Sequence, residues 1–162
     1  MAKLEIIQHP SSSYGPRTYA NASKGDITIA LALDYTTAGE NLTHKAAGDR
    51  YLKLPLSEEW IDNARKLFKK ITRNERSSAS VNVAGNGIYT LAKHGWTQFI
   101  VNQYVYDMLA IVSEYVPITH IYSGGQTGVD LAGGYAGWKL GIDTVLTLPK
   151  GFVQRHEDGK DV

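Results

Sequence analysis

The chain has 162 residues, of which 43% are hydrophobic and 20% are charged, as in an ordinary globular domain with its own core. Its formal net charge of +1 argues against a bulk nucleic-acid or membrane binder, and the lack of cysteine excludes disulfides, thiolate metal sites and cysteine nucleophiles. The N-terminus lacks the apolar run of a signal peptide, and no stretch approaches the roughly 18 apolar residues of a membrane span. We therefore expect a cytoplasmic protein with neither a nucleic-acid nor a membrane partner.

The first third of the chain contains three predicted strands and one short helix. KLEIIQ (3–8) is typical of a short strand, and the Ser-, Gly- and Asn-rich stretch after it (11–25) is predicted to be a loop. DITIALALD (26–34) is nearly all apolar between polar flanks, which is typical of a strand buried on both faces. TTAGENLTHKAAG (36–48) is predicted to enter a short helix that ends at its last glycine, and YLKLPL (51–56) is a predicted strand.

The rest of the chain continues the alternation of helices and strands. The clearest helix follows its predicted cap, Ser57, and its apolar positions from Trp60 to Ile71 repeat along one helical face. The stretch 97–115 is apolar on most sides and too long for a strand, so we predict a buried helix that Pro117 stops. The other predicted elements are strands that run into loops over 80–87, 118–125 and 143–151, a helix over 128–141 and an irregular polar tail.

This alternation predicts an α/β fold, with a mainly parallel sheet and helices on both of its faces. We predict a single domain over residues 1–162, because the chain contains no repeat, low-complexity tract or linker. The polar connector between Arg73 and Ser80 is the one weak candidate for a boundary.

Four polar loops follow predicted strands and are expected at the carboxyl edge of the sheet, where α/β proteins bind ligands. Their convergence on one edge is stronger evidence for a binding site than any one of them. The loops are DYTTAGENLT, AGNGIYT, SGGQTGVD and LPKGF.

SGGQTGVD (123–130) has two interpretations. In the first, its glycines bring the backbone close to a ligand, the N–H groups at the helix start bind a phosphate, and its hydroxyls add hydrogen bonds. In the second, it is an ordinary strand-to-helix turn with Thr127 as the N-cap. It matches neither the dinucleotide GxGxxG nor the P-loop, which disfavours a dinucleotide oxidoreductase or a Walker-type ATPase. The candidate binding residues are Ser123, Gly124, Gly125, Gln126, Thr127 and Gly128.

Two carboxylates are candidates for catalysis, and each also has a structural interpretation. Asp130 falls in the first turn of a predicted helix, where it either stabilises the helix dipole or acts as a ribose contact or general base. Glu40 either completes a capping box with Thr36 or Thr37, or acts as a catalytic carboxylate.

Three further residues in the loops are ligand-binding candidates. Asn86 suits a left-handed turn between two glycines, or presents its amide to a base or ribose. Tyr89 either packs in the core or stacks on a base, and Lys150 is either a surface lysine or a phosphate contact. The five histidines have no metal-ligand spacing, so we predict no metal site.

Three segments, SGGQTGVDLAGGYAGWKLGI, LPKGF and EDGKD, resemble the molybdenum-carrier branch of the SLOG superfamily. That superfamily also includes cytokinin-activating phosphoribohydrolases and DNA-processing proteins. The resemblance implies a Rossmann-like domain that binds a nucleotide or nucleotide-derived ligand through its Gly-rich loop, and it implies a homo-oligomer. The branch name implies molybdenum, but the sequence contains no ligand set that supports it.

The first part of the chain resembles the same branch in an unexpected place. In that branch, the segment similar to RTYANASKGDITIALALDYTTAGENLTHKAAG comes after SGGQTGVD, whereas here it comes before. The chain therefore looks circularly permuted, with halves of about 1–56 and 117–162 around a middle segment, 57–116, and with its termini in a surface loop. The residues that the resemblance adds to the ligand-binding candidates are Arg17, Asn21, Thr37 and Gly39.

Three functional hypotheses follow. The first is a binding protein that senses, carries or sequesters a nucleotide-derived ligand; the compact, permuted chain has the look of a phage protein, which suggests a sponge for a host defence signal derived from NAD or a cyclic nucleotide. The second is an enzyme that cleaves the N-glycosidic bond of a nucleotide with Asp130 or Glu40. This chain departs from the Gly-Gly-x-Gly-Thr-x-x-Glu motif of the phosphoribohydrolases, which argues against their mechanism. The third is an oligomeric scaffold with a vestigial pocket.

Overall fold

The computed structural model describes residues 2–11, 13–73 and 76–160. Part of the predicted connector between Arg73 and Ser80, and the last two residues of the predicted tail, lie outside this range. A turn of 3₁₀ helix (Gly48–Arg50) joins the helix Ala38–Ala47 to the strand Tyr51–Pro55. In chain order the elements are β1 (Leu4–Gln8), α1 (Tyr14–Lys24), β2 (Ile27–Ala32), α2 (Ala38–Ala47), β3 (Tyr51–Pro55), α3 (Trp60–Arg73), β4 (Ala79–Gly85), α4 (Ile88–Ala92), α5 (Gln98–Tyr115), β5 (Ile118–Ser123), α6 (Val129–Leu140) and β6 (Asp143–Leu148).

The six strands form one sheet in the order β1-β6-β5-β4-β2-β3, and every neighbouring pair is parallel. All six residues of β2 are buried, as expected for a central strand covered on both faces. The molecule is therefore an α/β, Rossmann-like single domain, and the predicted fold class is confirmed.

Helices cover both faces of the sheet. We infer the two layers from the contacts, because α1 packs on α2, whereas α5 packs between α3 and α6. The glycines of α6 allow the helix to lie close to the strands: a Cβ on Gly133 would be 2.8 Å from Cβ of Val83, and one on Gly134 would be 3.0 Å from Leu146. This close packing explains why a helix with poor intrinsic propensity forms there.

The prediction of a loop over 11–25 is wrong, because Tyr14–Lys24 forms α1. The buried residues of this helix include Arg17, Asn21 and Ala22, of which the first two are polar. Hydrophobic periodicity, the main indicator of a helix in sequence, is therefore weak here. The helix forms because its polar face packs on the rest of the protein.

Two smaller predictions also differ from the structure. Ser57 does not cap α3, which begins at Trp60, and the carbonyl of Glu59 accepts the first helical hydrogen bond, from the N–H of Asn63 (3.3 Å). The short helix α4 follows directly after the Gly-Asn-Gly turn, in a stretch predicted to be a loop.

Candidate functional site

A cavity of about 470 Å³ lies at the carboxyl ends of β2, β4 and β5. The strands β2 and β4 are neighbours, but the chain leaves β2 towards β3 at one edge and leaves β4 towards β5 on the other side. The cavity therefore lies at the topological switch point of the sheet, where ligands bind in open α/β proteins. Its volume is in the range of small-molecule sites.

The structure brings most of the sequence candidates together around this cavity. Ser123, Gly125 and Gly128 do not line it, and Lys150 lies on the exposed surface outside it. The candidates that line the cavity are Arg17, Asn21, Thr37, Gly39, Glu40, Asn86, Tyr89, Gly124, Gln126, Thr127 and Asp130.

Arg17 of α1 and Asp130 of α6 form an ion pair in the wall of the cavity. Nη1 of Arg17 is 3.5 Å from Oδ2 of Asp130, and both residues are buried. Burial raises the pKa of the Asp130 carboxyl to about 6, against the opposing effects of Arg17 and of a hydrogen bond from the Gln126 backbone. A Cβ on Gly124 would overlap the guanidinium of Arg17 and lie 2.5 Å from Oδ2 of Asp130. The loop needs glycine at this position to leave room for the ion pair.

Glu40 is a buried carboxyl in the first turn of α2. Thr37 is the N-cap, and its Oγ1 accepts a hydrogen bond of 3.2 Å from the N–H of Glu40. This is one of the two hydrogen bonds of the predicted capping box, the one made by the N-cap side chain. Oε2 of Glu40 is buried and has no hydrogen-bond partner among the described residues. Burial, followed by the charge of Asp130, raises the pKa of Glu40 to about 7. This carboxyl is therefore poised to exchange a proton near neutral pH.

Two asparagines that line the same cavity as Glu40 also have buried polar atoms without a partner among the described residues. Asn21 of α1 is 2% exposed, and neither Oδ1 nor Nδ2 of its amide has a partner in the described part of the chain. Asn82 of β4 donates from Nδ2 to Thr28 (3.3 Å), but its Oδ1 is buried and likewise unpartnered there. Buried polar atoms in native proteins almost always have a partner, so these atoms require a water molecule or a ligand to complete their hydrogen bonds.

The backbone N–H groups of the SGGQTGVD loop are largely used inside the protein. The N–H of Gly128 donates to Oε1 of Gln98 (2.7 Å), while Nε2 of Gln98 donates to the carbonyl of Gly128 (2.9 Å). The N–H of Val129 donates to the carbonyl of Asn86 (3.0 Å). The N–H groups of Gly128 and Val129 are therefore not free for a phosphate, in contrast to the prediction for Gly128.

The polar side chains of the loop are also engaged, by the segment 153–155. Nε2 of Gln126 donates to the carbonyl of Val153 (2.8 Å), and Oε1 of Gln126 accepts from the N–H of Arg155 (3.1 Å). Oγ1 of Thr127 donates to the carbonyl of Arg155. The loop thus fixes this segment in place and brings Arg155 to the cavity.

Asn86 and Tyr89 have different positions in the site. Oδ1 of Asn86 accepts from the N–H groups of Leu33 (2.8 Å) and Asp34 (3.0 Å), and its Nδ2 donates to the carbonyl of Asp34 (2.9 Å). Asn86 therefore holds the loop after β2 and does not offer a free amide edge to a base. Tyr89 is 38% exposed at the cavity, but Nζ of Lys93 lies over its ring, 4.2 Å from the centroid, so at most one face is open for stacking.

The sequence interpretation missed Asn82, Thr90 and Arg155 as cavity residues. Asn82 carries an indicator that was present in the sequence: it is a polar residue between two valines in a strand that is otherwise apolar, and polar residues are rarely buried without a role. Arg155 carries none, because it lies in the irregular tail and reaches the cavity through the bonds to Gln126 and Thr127.

In the described ranges, no three acidic or histidine side chains come together to hold a metal ion. None of the described helices has both the length and the apolarity needed to cross a membrane. No protein-family model matches this chain, and neither does any curated protein or solved structure. The interpretation of the cavity therefore depends on its own geometry and chemistry.

Proposed function

We propose that the protein binds a nucleotide or nucleotide-derived small molecule in the cavity and acts as a sensor, carrier or sequestering protein. One observation carries the proposal: Asn21, Glu40 and Asn82 hold buried polar atoms that have no partner among the described residues, and all three line the cavity. Such atoms are costly to bury unless a ligand or water completes their hydrogen bonds.

Two further features favour a nucleotide. Tyr89 offers a ring on which a base stacks, and the cavity has enough volume for a mononucleotide. Arg155, which lines the cavity, supplies positive potential for a phosphate. The part of the SGGQTGVD loop that lines the cavity contributes Gly124, Gln126 and Thr127 to the same site.

The resemblance to SLOG domains supports a biological role within this proposal. A cavity with buried, unsatisfied polar atoms suits tight retention of a small ligand, which is the property that a sequestering protein needs. We propose a phage sponge for a host nucleotide signal as the specific form of this role, and a homo-oligomer as its assembly.

Native mass spectrometry of gently purified protein tests the binding. The protein is incubated with AMP, ADP, NAD⁺, ADP-ribose and 3′,5′-cyclic AMP, and the mass and the melting temperature are recorded. At least one ligand should add its mass and raise the melting temperature. Asn82→Leu should lose that shift and Lys150→Ala, outside the cavity, should keep it. If no ligand changes the mass or melting temperature of the wild-type protein, the proposal fails.

A second candidate function is hydrolysis of a nucleotide N-glycosidic bond. It is favoured by the two cavity carboxyls, since the pKa of Glu40 is raised to about 7 and that of Asp130 to about 6. A carboxyl with a pKa near the working pH is suited to general acid–base catalysis. In the same incubations, free base and sugar phosphate would report turnover, and Glu40→Gln should then lower its rate at least about 100-fold. Intact ligand after prolonged incubation excludes this function for the ligands tested.

We also propose that the chain is a circular permutant of the SLOG arrangement. One of the two segments that carry the resemblance contains β2, and the other begins at the end of β5. Both strands neighbour β4, so they lie about 10 Å apart. Strands β1 and β6 pair with each other at one side of the sheet. A chain that is reconnected to begin at Pro117, with a flexible linker between the present ends, should fold and keep the ligand-induced melting shift. Failure of that chain to fold would contradict the permutation.

A further inference from the structure

Asn21, Glu40 and Asn82 line one part of the cavity, here called its closed end because their side chains are buried. Their polar atoms without a partner among the described residues define which chemical group fits there. Oδ1 of Asn21 and Oδ1 of Asn82 are acceptors, and Oε2 of Glu40 is a third acceptor when its carboxyl is ionised. The remaining atom, Nδ2 of Asn21, is a donor. A complementary ligand group must therefore mainly donate hydrogen bonds, and it must also accept one.

The charges at this end argue against a phosphate. Two carboxyls, Glu40 and Asp130, are buried here, and Arg17 is already paired with one of them at 3.5 Å. A phosphate presents acceptor oxygens and negative charge, so it would face the amide oxygens of Asn21 and Asn82 and be repelled by Asp130 and by the ionised form of Glu40. The phosphate of a nucleotide therefore stays at the mouth, where the exposed Arg155 lies.

Three groups remain as candidates for the closed end. An ammonium cation donates but cannot accept from Nδ2 of Asn21. The edge of a base holds its donors and acceptors rigidly in one plane. The protein atoms that need partners come from three different elements, α1, α2 and β4. A hydroxyl both donates and accepts, and it rotates to suit its partners.

We infer that the closed end of the cavity binds the paired 2′ and 3′ hydroxyls of a ribose, held by Asn21, Glu40 and Asn82. The sugar enters first, and the phosphate remains at the mouth near Arg155. This inference rests on the proposed nucleotide binding and deepens it, because it assigns the orientation of the ligand and makes the protein selective for ribonucleotides.

Paired probes test the selectivity whichever base the ligand carries. The dissociation constants of AMP, GMP, CMP and UMP are measured by calorimetry and compared with those of their 2′,3′-dideoxy counterparts. Loss of both hydroxyls leaves the buried acceptors unpaired, which should weaken binding by about tenfold or more. Equal affinities within each pair would overturn the inference and leave the proposed function intact. If none of the eight compounds binds, the inference is overturned, and if the wider ligand panel also fails, the proposed function falls with it.

Variants link the selectivity to the named residues. In Asn82→Leu and in Glu40→Leu, the ratio of dideoxy to ribo dissociation constants should fall towards one, because an acceptor that requires a hydroxyl has been removed. The ratio is internal to each variant, so a general loss of affinity or stability cancels. Lys150→Ala should keep the wild-type ratio. Two variants that both retain the wild-type ratio would overturn the assignment of the hydroxyl subsite to these residues.

Discussion

Two helix starts meet at the cavity, and they use their polar groups in opposite ways. At the start of α6, the N–H of Gly128 and the side chains of Gln126 and Thr127 bond to other parts of the protein. At the start of α2, Oε2 of Glu40 is buried without a partner among the described residues. The Gly-rich loop uses its polar groups for packing inside the protein, whereas the α2 start, like Asn21 and Asn82 in the same cavity, keeps buried polar atoms without a partner among the described residues.

The largest expected effect comes from filling the space at Gly124. In Gly124→Ala, the new Cβ would overlap the guanidinium of Arg17 and separate it from Asp130. Since breaking a buried ion pair leaves charges uncompensated, we expect a loss of about 3 kcal/mol in the free energy of unfolding. Urea denaturation measures this loss. A variant as stable as the wild type would show that the ion pair does not require glycine.

The next largest effect is a pH dependence of the unfolding free energy, which comes from Glu40 at the start of α2. The carboxyl of Glu40 has an ordinary pKa of 4.5, and burial followed by the charge of Asp130 raises it to about 7 in the folded protein. The folded protein therefore binds the proton more tightly, so the stability due to this group is present below pH 4.5 and is lost as the pH rises to about 7.

Removal of the Glu40 charge should abolish that loss. We expect Glu40→Gln to be more stable than the wild type by about 2–3 kcal/mol at pH 8, and to differ little at pH 4, because one pKa unit corresponds to about 1.4 kcal/mol. Urea midpoints at both pH values measure the difference. Glu58→Gln, at an exposed carboxyl, is the matched control and should show almost no such gain. A wild-type pH profile in Glu40→Gln would contradict the assignment.

A smaller effect is expected from Gln98, whose side chain is hydrogen-bonded to the backbone of Gly128 at the start of α6. Gln98→Leu removes both hydrogen bonds to the Gly128 backbone and leaves its N–H and carbonyl unpaired. We expect a loss of about 1–2 kcal/mol and faster hydrogen exchange at the Gly128 amide. Gln103→Leu, on the same helix, removes a bond between side chains and should cost only a few tenths of a kcal/mol, on the order of a helix side-chain pair. Equal losses of unfolding free energy in both variants would mean that the two hydrogen bonds from Gln98 do not stabilise the loop.

The smallest effect on stability has the opposite sign and comes from another glycine of the cavity, Gly39. A Cβ on Gly39 in α2 meets no atom within 4 Å, in contrast to Gly124. Gly39→Ala should therefore stabilise the protein by about 0.5 kcal/mol, because alanine loses less backbone entropy in a helix. A small rise in the urea midpoint is the expected result, and destabilisation would show that the open space at Gly39 is needed.

Much of the site was foreseeable because polar loops after parallel strands must meet at one edge of the sheet. Asn21, Glu40 and Asp130 are candidates from the sequence, and all three line the cavity. Their individual roles were not foreseeable. Whether Asn86 offers its amide to a ligand or holds the loop after β2 depends on which backbone groups lie beside it, and a single sequence does not contain that information.

The sequence by itself determined the strands and most of the helices, since hydrophobic runs and helical periodicity are local properties. It did not reveal α1, whose buried face is polar, nor the order of strands in the sheet. Only the tertiary structure decided the partners of the polar groups, such as Arg17 with Asp130, which are 113 residues apart. Pairing across such separations depends on how the sheet assembles. That assembly placed Asn21, Glu40 and Asn82, whose buried polar atoms have no partner among the described residues, in the lining of one cavity.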